Sequence, residues 1–184
     1  MQQPAIRRVL DAAARKGVKL DITVLDEPAQ TDEDAAAFLD ADLGQIVKVL
    51  VFVAPRPGGR LSPIVCLVSA RDRAEPGKLA AAAGEAAIRR ATPSETFGLT
   101  GFAASATPPL GYGHDVRVVM DQGLGRFPVV WASAGSDAAF FPVPPATLRA
   151  LAGAVVAPVA EQGWAPSPVS ADAQMRLETR SSPI

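Results

Sequence analysis

One apolar segment of the chain is interrupted by a single charge. Residues 45–53, QIVKVLVFV, are apolar apart from Gln45 and Lys48. With the two-residue period of a strand, Lys48 shares a face with Leu50 and Phe52, and valines fill the other face. Neither face is polar, so the pattern predicts a strand buried on both sides. Because an unpaired buried charge is costly, Lys48 needs a path to water, an anionic partner or an open cleft.

The pattern before this strand predicts two helices and one strand. Apolar residues at helical spacing over 6–13 predict a first helix, with Lys16-Gly17 as its stop, and residues 20–25 predict a short strand. Thr31 and Asp34 have the spacing of a capping box, so a second helix is expected to begin there.

The pattern after this strand predicts clustered strands. We predict strands over 64–68, 116–120, 127–133 and 139–143, helices over 76–90 and 145–151, and a short helix or turn over 94–100. Since strands do not alternate strictly with helices, the fold class is α+β rather than a doubly wound parallel sheet. Residues 1–160 form one compact domain, and 161–184, poor in apolar residues, form a flexible tail.

Composition narrows the function classes. The 184 residues carry a net charge of −1, with 48% hydrophobic and 20% charged residues, as in one globular domain. This balance disfavours a protein that coats long nucleic acids but permits recognition of a small piece of one. No signal peptide or membrane span is visible in the sequence, so a cytoplasmic location without membrane contact is expected.

The chain has one cysteine and one histidine, which removes several chemistries. A lone cysteine forms no internal disulfide, and one histidine without ligand spacing makes a zinc site improbable. Cys66, in the apolar run 64–68, is expected to be a small buried hydrophobe, or alternatively a nucleophile that requires a nearby base. His114 lies in a polar stretch and is expected in an exposed loop.

The stretch 101–111 is small, bounded by glycines and stiffened by prolines. It is either a long surface connection or a functional loop, because long ordered loops in compact domains often carry function.

Several segments, in chain order, resemble the YbaK/prolyl-tRNA-synthetase-associated editing domains. The lysine-bearing strand 45–52 carries the resemblance, which extends to 31–37, 100–102, 109–111, 118–121, 133–135 and 145–151, and so to about residues 5–155. It implies a mixed, partly barrel-like sheet flanked by helices. It also implies a trans-acting enzyme that hydrolyses the ester between a wrong amino acid and the terminal ribose of a tRNA.

The resemblance also implies roles for individual residues. Lys48 would face the tRNA acceptor end and hold its terminal phosphate or ribose, and the loop with Ser105 and Thr107 would bring backbone N–H groups to the scissile carbonyl. The other implied site residues, which bind substrate, are Gly101, Pro109, Gly111, Ser133, Gly135 and Asp137. No cofactor or metal is required if a substrate hydroxyl and water relay the proton.

The chain departs from the family pattern at three places. Residues 20–25 offer neither the aromatic residue nor the histidine that many members carry near the pocket. Ser105 replaces the glycine of a Gly-x-x-x-Pro loop, and strain is expected if that position requires a positive φ. Residues 136–140 replace a Lys-Arg-Gly run and an acid, with Asp137 as the available carboxylate.

Two other functions stay open at this point. One is a non-catalytic module that binds a tRNA acceptor end, a nucleotide or an aminoacyl compound. The other is an unrelated hydrolase with Ser133 or Cys66 as nucleophile and His114 as base. If tRNA is the partner, binding should be weak and transient, with a shallow salt dependence. Candidates for extra contacts are Arg56, Arg60, Arg71 and Arg73, whose alternative role is solvated surface charge.

Overall fold

The structure is a computed structural model that describes residues 3–161. Its helices are α1 (Pro4–Arg15), α2 (Asp32–Phe38), α3 (Pro76–Ala83), α4 (Pro93–Thr100) and α5 (Pro145–Ala152). Its strands are β1 (Thr23–Val24), β2 (Val47–Pro55), β3 (Leu61–Ser69), β4 (Arg89–Arg90), β5 (Arg117–Asp121), β6 (Val130–Ser136), β7 (Ala139–Val143) and β8 (Val155–Ala157). Apart from Glu161, the predicted tail 161–184 lies outside the described residues.

The strands form two sheets that meet at one corner. The larger sheet has the order β4-β2-β3-β5-β8, with β3, β5 and β8 parallel and the β2 pairs antiparallel. The smaller antiparallel sheet has the order β1-β7-β6. A bridge between Ile46 and Trp131 joins the start of β2 to β6, so the sheets curl toward each other without closing. The predicted α+β class with a mixed sheet is confirmed.

The two faces of β2 serve two different cores. Val47 and Val51 pack into the larger core with α1 and α5, whereas Phe52 packs with Cys66 and α3 on the opposite face. The predicted alternation is confirmed, but burial along the whole strand is wrong, because Lys48, Val49 and Leu50 are only half-buried. A cleft opens at these three residues.

Three predicted elements have different bounds in the structure. The helix predicted over 76–90 ends at Gly84, which has φ 70° and caps the helix by donating its N–H to Ala80 and Ala81 carbonyls. The chain then returns as β4, antiparallel to Phe52 and Val53.

The alanine-rich sequence favours a longer helix, but Gly84 adopts the left-handed conformation and ends α3 after Ala83.

The strand predicted over 127–133 is displaced to 130–136, because a 3₁₀ turn over Gln122–Arg126 delays its start. The strand predicted over 20–25 shrinks to Thr23–Val24, which pairs only with β7.

The predicted capping box at Thr31 is confirmed. Thr31 Oγ1 accepts the N–H of Asp34 at 3.0 Å, and Asp34 Oδ2 accepts the N–H of Thr31 at 3.0 Å. Both bonds satisfy backbone donors that the first helical turn leaves without partners. The start of α2 is therefore fixed, and Asp32 is its first helical residue.

Asp121, at the end of β5, ties the chain after β8 to the sheet. The side chain is 3% exposed. Its Oδ1 accepts the N–H groups of Val159 (2.8 Å) and Ala160 (3.0 Å), and Oδ2 accepts that of Gly123 (2.8 Å). A buried carboxylate with three N–H donors is well satisfied, so it anchors two segments at once.

We predict that Asp121→Ala lowers the free energy of unfolding by about 2–4 kcal/mol, because one buried and two partly buried N–H groups lose their acceptor. Urea denaturation monitored by circular dichroism measures it. Asp115→Ala, which removes an exposed carboxylate, is the matched control and should change stability by less than about 0.5 kcal/mol. Equal urea midpoints for the two variants would contradict the anchoring role.

Candidate active site

The cleft at Lys48 has a volume of about 510 Å³. It lies between the start of α2, the first half of β2, the loop after α4, and the turn between β6 and β7. Polar side chains that line it are those of Gln30, Thr31, Asp32, Lys48, Ser105, Thr107, Ser133 and Asp137, and small apolar residues such as Ala29, Ala35 and Ala104 line it as well. The structure therefore brings together five of the nine predicted site residues: Lys48, Ser105, Thr107, Ser133 and Asp137.

Lys48 forms an open ion pair in this cleft. Its Nζ lies 3.7 Å from Asp32 Oδ2, and the two side chains are 36% and 38% exposed. An exposed pair of this kind contributes at most about 1 kcal/mol to stability. The ammonium is thus held loosely, within reach of solvent and of anything that enters the cleft.

Asp32 is the site residue that the sequence did not identify. Asp32, Glu33 and Asp34 all lie in the first turn of α2, where negative charge is favourable in any helix, so their acidity alone does not indicate a site. Burial raises the pKa of Asp32 above its ordinary value, and the nearby Lys48 ammonium acts in the opposite direction. The Thr31–Asp34 capping box could have shown that Asp32 is the first residue of α2. It could not show which of the three acids faces Lys48, because that depends on how α2 packs against β2.

The loop after α4 presents few free backbone donors to the cleft. A 3₁₀ turn spans Ala104–Ala106, and the N–H of Ala106 donates to the Ala103 carbonyl at 3.0 Å. Pro108 and Pro109 have no N–H. Within 105–109, the N–H groups of Ser105 and Thr107 are therefore the two candidates for an oxyanion hole. The hydroxyl of Thr107, a residue only 3% exposed, donates to the Ala103 carbonyl at 2.9 Å and fixes the turn.

Ser105 fits its position without backbone strain. Over residues 3–161, Asp40 is the only non-glycine residue with positive φ, so Ser105 does not adopt the conformation that would require glycine. Its exposed hydroxyl donates to Asp137 Oδ2 at 3.3 Å. This hydrogen bond joins the loop to the β6–β7 turn.

Ser133 shapes the wall of the cleft rather than standing as a free hydroxyl. Its Oγ donates to the Ala106 carbonyl at 3.1 Å and accepts the N–H of Gly135 at 3.1 Å. These bonds hold the loop against β6, where the β6–β7 register shifts between Ser133 and Ser136.

The other four predicted site residues do not line this cleft. Gly101 ends α4 with φ 74°, while Pro109 and Gly111 line a separate cavity beside Lys16. Gly135 has φ 92°, and a Cβ there would lie 3.0 Å from the ring of Phe102. These residues lie outside the lining of the cleft, and their direct contact with substrate stays a prediction.

The structure disfavours a serine or cysteine hydrolase. Cys66 is fully buried, and burial raises the pKa of its thiol to about 12, so it is not a thiolate near neutral pH. His114 is exposed and lines the cavity beside Lys16, not the Lys48 cleft that contains Ser133. Between residues 3 and 161, no group of three or more His, Cys, Asp or Glu side chains is arranged to hold a metal.

Three of the four arginines considered as extra RNA contacts are occupied. Arg56 pairs with Glu85, and Arg71 donates two hydrogen bonds of 3.0 Å to Asp42. Arg73 lies 3.7 Å from Glu161. These pairs fit solvated surface charge, the alternative role, better than an RNA footprint. Among the described helices, none combines the length and hydrophobicity needed to cross a bilayer.

Known proteins resemble this chain over most of its length. A crystal structure of a candidate trans-editing enzyme for prolyl tRNA synthetase superimposes with a TM-score of 0.79 and 37% identity, covering 88% of this chain and 99% of that one. Part of a proline–tRNA ligase from Limosilactobacillus fermentum is 30% identical over 96 residues, which are 52% of this chain but 17% of the ligase. The uncharacterized protein YwhH of Bacillus subtilis is 28% identical over 116 residues, 63% of this chain and 71% of YwhH.

The family predicted from the ordered set of resembling segments is confirmed by a family-model match. The family model described as aminoacyl-tRNA editing domain aligns with residues 26–151, which include α2, β2, the loop after α4 and the β6–β7 turn. All four walls of the Lys48 cleft lie within that alignment, and the chain belongs to the aminoacyl-tRNA editing domain family.

Proposed function

We propose that this protein is a trans-acting deacylase that hydrolyses the ester of a mischarged tRNA. The observation that carries the proposal is an open ammonium, Lys48, in a cleft of about 510 Å³ whose lining also includes Ser105 and Thr107, the two residues with candidate backbone donors. Membership of the editing-domain family supports the reaction class, and the likeness to a candidate trans-editing enzyme supports action in trans. Editing serves a purpose because amino-acid pockets reject smaller or near-isosteric competitors poorly.

In this proposal Lys48 positions the tRNA end. The ammonium contacts the terminal phosphate or ribose, and Asp32, 3.7 Å away, restricts where the ammonium can lie. A compact, strongly hydrated point charge suits a contact that must form and break in each turnover.

The ester carbonyl then faces the loop after α4. The N–H groups of Ser105 and Thr107 stabilise the negative charge that develops on the carbonyl oxygen. Water adds to the carbonyl carbon, the ester C–O bond breaks, and the proton lost by water reaches the departing ribose oxygen through the neighbouring ribose hydroxyl. The products are a free amino acid and a tRNA with both ribose hydroxyls restored.

Asp137 lies at the amino-acid end of the cleft in this arrangement. Its half-buried carboxylate accepts a hydrogen bond from Ser105 and is free to accept another from the substrate ammonium group. The small residues Ala29, Ala35 and Ala104 leave the remaining space for the amino-acid side chain.

The net charge of −1 fits a brief encounter rather than a stable complex. A site that neutralises few phosphates binds weakly and with a shallow salt dependence. Since its substrate is made during translation, we also propose a cytoplasmic location.

We predict that Lys48→Ala lowers kcat/KM for deacylation of a cleavable mischarged tRNA about tenfold to a hundredfold, because the ester loses its orienting contact. Release of radiolabelled amino acid from a panel of mischarged tRNAs measures it. Lys78→Ala, which removes a cation from α3 outside this cleft, is the matched control. Equal ester half-lives with native protein, Lys48→Ala protein and buffer would reject the deacylase; saturable tRNA binding without turnover would then favour a binding module.

We expect Asp32→Asn to lower kcat severalfold without raising KM. The substitution leaves the charge of Lys48 available to a phosphate but removes the carboxylate that positions it. Protonation has the same effect, so kcat of the native protein should fall as the pH drops through the pKa of Asp32. Because burial raises that pKa, the fall should begin above the pH expected for an ordinary aspartate. A native pH profile that Asp32→Asn leaves unchanged would refute this role.

The backbone role of Ser105 makes a different prediction. Ser105→Ala removes the hydroxyl but keeps the N–H, so deacylation should stay within about threefold of native activity. Ser105→Pro removes the N–H and should reduce kcat about a hundredfold or more. Circular dichroism establishes that both variants are folded. Loss of activity in Ser105→Ala as severe as in Ser105→Pro would assign the chemistry to the hydroxyl.

A further inference from the structure

A second cavity lies beside the Lys48 cleft on the same face of β2. It has a volume of about 280 Å³ and is lined by Leu50, Phe52, Arg73, Ala74, Pro76, Arg90 and Glu161. Leu50 lines both cavities, so this side chain is the wall they share. The two cavities are therefore neighbours along β2.

The geometry of β2 sets the direction from one cavity to the other. Lys48, Leu50 and Phe52 alternate onto one face, and Arg90 of β4 is the cross-strand partner of Phe52. Four strand residues span about 13 Å, a distance that a short stretch of extended single-stranded RNA covers. The two cations therefore stand at the two ends of one apolar strip.

Arg90 is a cation placed on an aromatic surface and not paired with an acid. Its guanidinium carbon lies 5.2 Å from the centroid of the Phe52 ring. The residue is exposed, and no carboxylate among residues 3–161 lies within ion-pair distance of it. Its neighbour Arg89, by contrast, is engaged by Glu95 at 2.8 Å. The N–H donors of the Arg90 guanidinium are therefore available to an acceptor on a ligand.

The charge of this cavity is positive on balance. The carboxylate of Glu161 lies 3.7 Å from Arg73 and offsets its charge, which leaves Arg90 as the net cation. Leu50 and Pro76 supply apolar surface against which a nucleobase can pack, and an arginine plane is a surface on which bases stack. The cavity thus offers a cation for a phosphate and an apolar surface for a base, and single-stranded RNA presents both groups.

We infer that the cavity at Arg90 binds the unpaired nucleotides that precede the terminal adenosine of the substrate tRNA. Arg90 contacts a backbone phosphate and stacks against a base, while Leu50 and Pro76 cover the other side of that base. This inference rests on the proposed function for the identity of the ligand. The inferred subsite lies outside the Lys48 cleft. It would bind the RNA strand, whereas the Lys48 cleft would bind the ester that is cleaved.

Binding of RNA alone tests the subsite independently of turnover. The probe is a short single-stranded RNA ending in CCA with fluorescein at its 5′ end, followed by fluorescence anisotropy at several salt concentrations. Arg90→Ala should weaken binding about tenfold and reduce the slope of log K against log salt by about 0.7, the value for one single-strand phosphate contact. Arg149→Ala removes an exposed cation from α5, which packs on the opposite core, and should change neither quantity.

Equal losses in Arg90→Ala and Arg149→Ala, no loss in either, or no binding by the native protein would overturn the subsite. Arg90 lies on a short exposed strand, and an unchanged urea midpoint establishes that Arg90→Ala remains folded.

Hydrolysis of two substrates then separates the two proposals. Arg90→Ala should raise KM for mischarged tRNA but leave hydrolysis of the corresponding aminoacyl-adenosine unchanged, because that ester has no preceding nucleotides. Equal loss on both substrates would overturn the subsite and leave the deacylase intact. Failure of native protein to hydrolyse either ester, with RNA binding still dependent on Arg90, would reject the deacylase and keep the subsite.

Discussion

The charge of Lys48 within β2 constrains the architecture around it. The strand lies inside the larger sheet, between β3 and β4, and its nine residues are held in register by β3 along their whole length. The backbone at Lys48 therefore cannot shift to bring the ammonium to the surface. Because burial without a partner would cost several kcal/mol, the elements packed over this part of β2 must leave it open. The cleft follows from that requirement.

The neighbouring elements are each fixed by hydrogen bonds of their own. The Thr31 capping box sets the first turn of α2 and hence the position of Asp32. The hydroxyls of Thr107 and Ser133 fix the loop after α4, one within the loop and one from β6. The cleft is bounded by short, strongly determined segments, whereas the ion pair inside it is weak and exposed. A stiff frame around a solvent-accessible charge suits a site that binds and releases a polyanion repeatedly.

Local patterns made much of this predictable from the sequence. The two-residue period of β2 and the Thr31–Asp34 spacing each act over a few residues, and both predictions were confirmed. The family resemblance then identified Lys48, Ser105, Thr107, Ser133 and Asp137, which the structure places around one cleft.

Features that depend on distant packing could not be predicted. The pairing of Lys48 with Asp32 depends on how α2 docks, and the contact of Gly135 with Phe102 and Ala5 joins three remote segments. The position of Arg90 was hidden because an alanine-rich stretch predicted helix where Gly84 ends it. Without β4, no pattern in the sequence places a cation opposite Phe52.

Stability alone gives no reason for a lysine at position 48. An exposed ion pair contributes at most about 1 kcal/mol, whereas a buried leucine or valine on this face would contribute about 1.5–3 kcal/mol. An apolar residue would also let the cleft close over β2, since nothing would then need access to water. The fold thus forgoes core stability at a position where it could have gained it. That cost is understandable if the ammonium acts on a ligand, because orienting a reactive ester is worth more than burying one additional side chain.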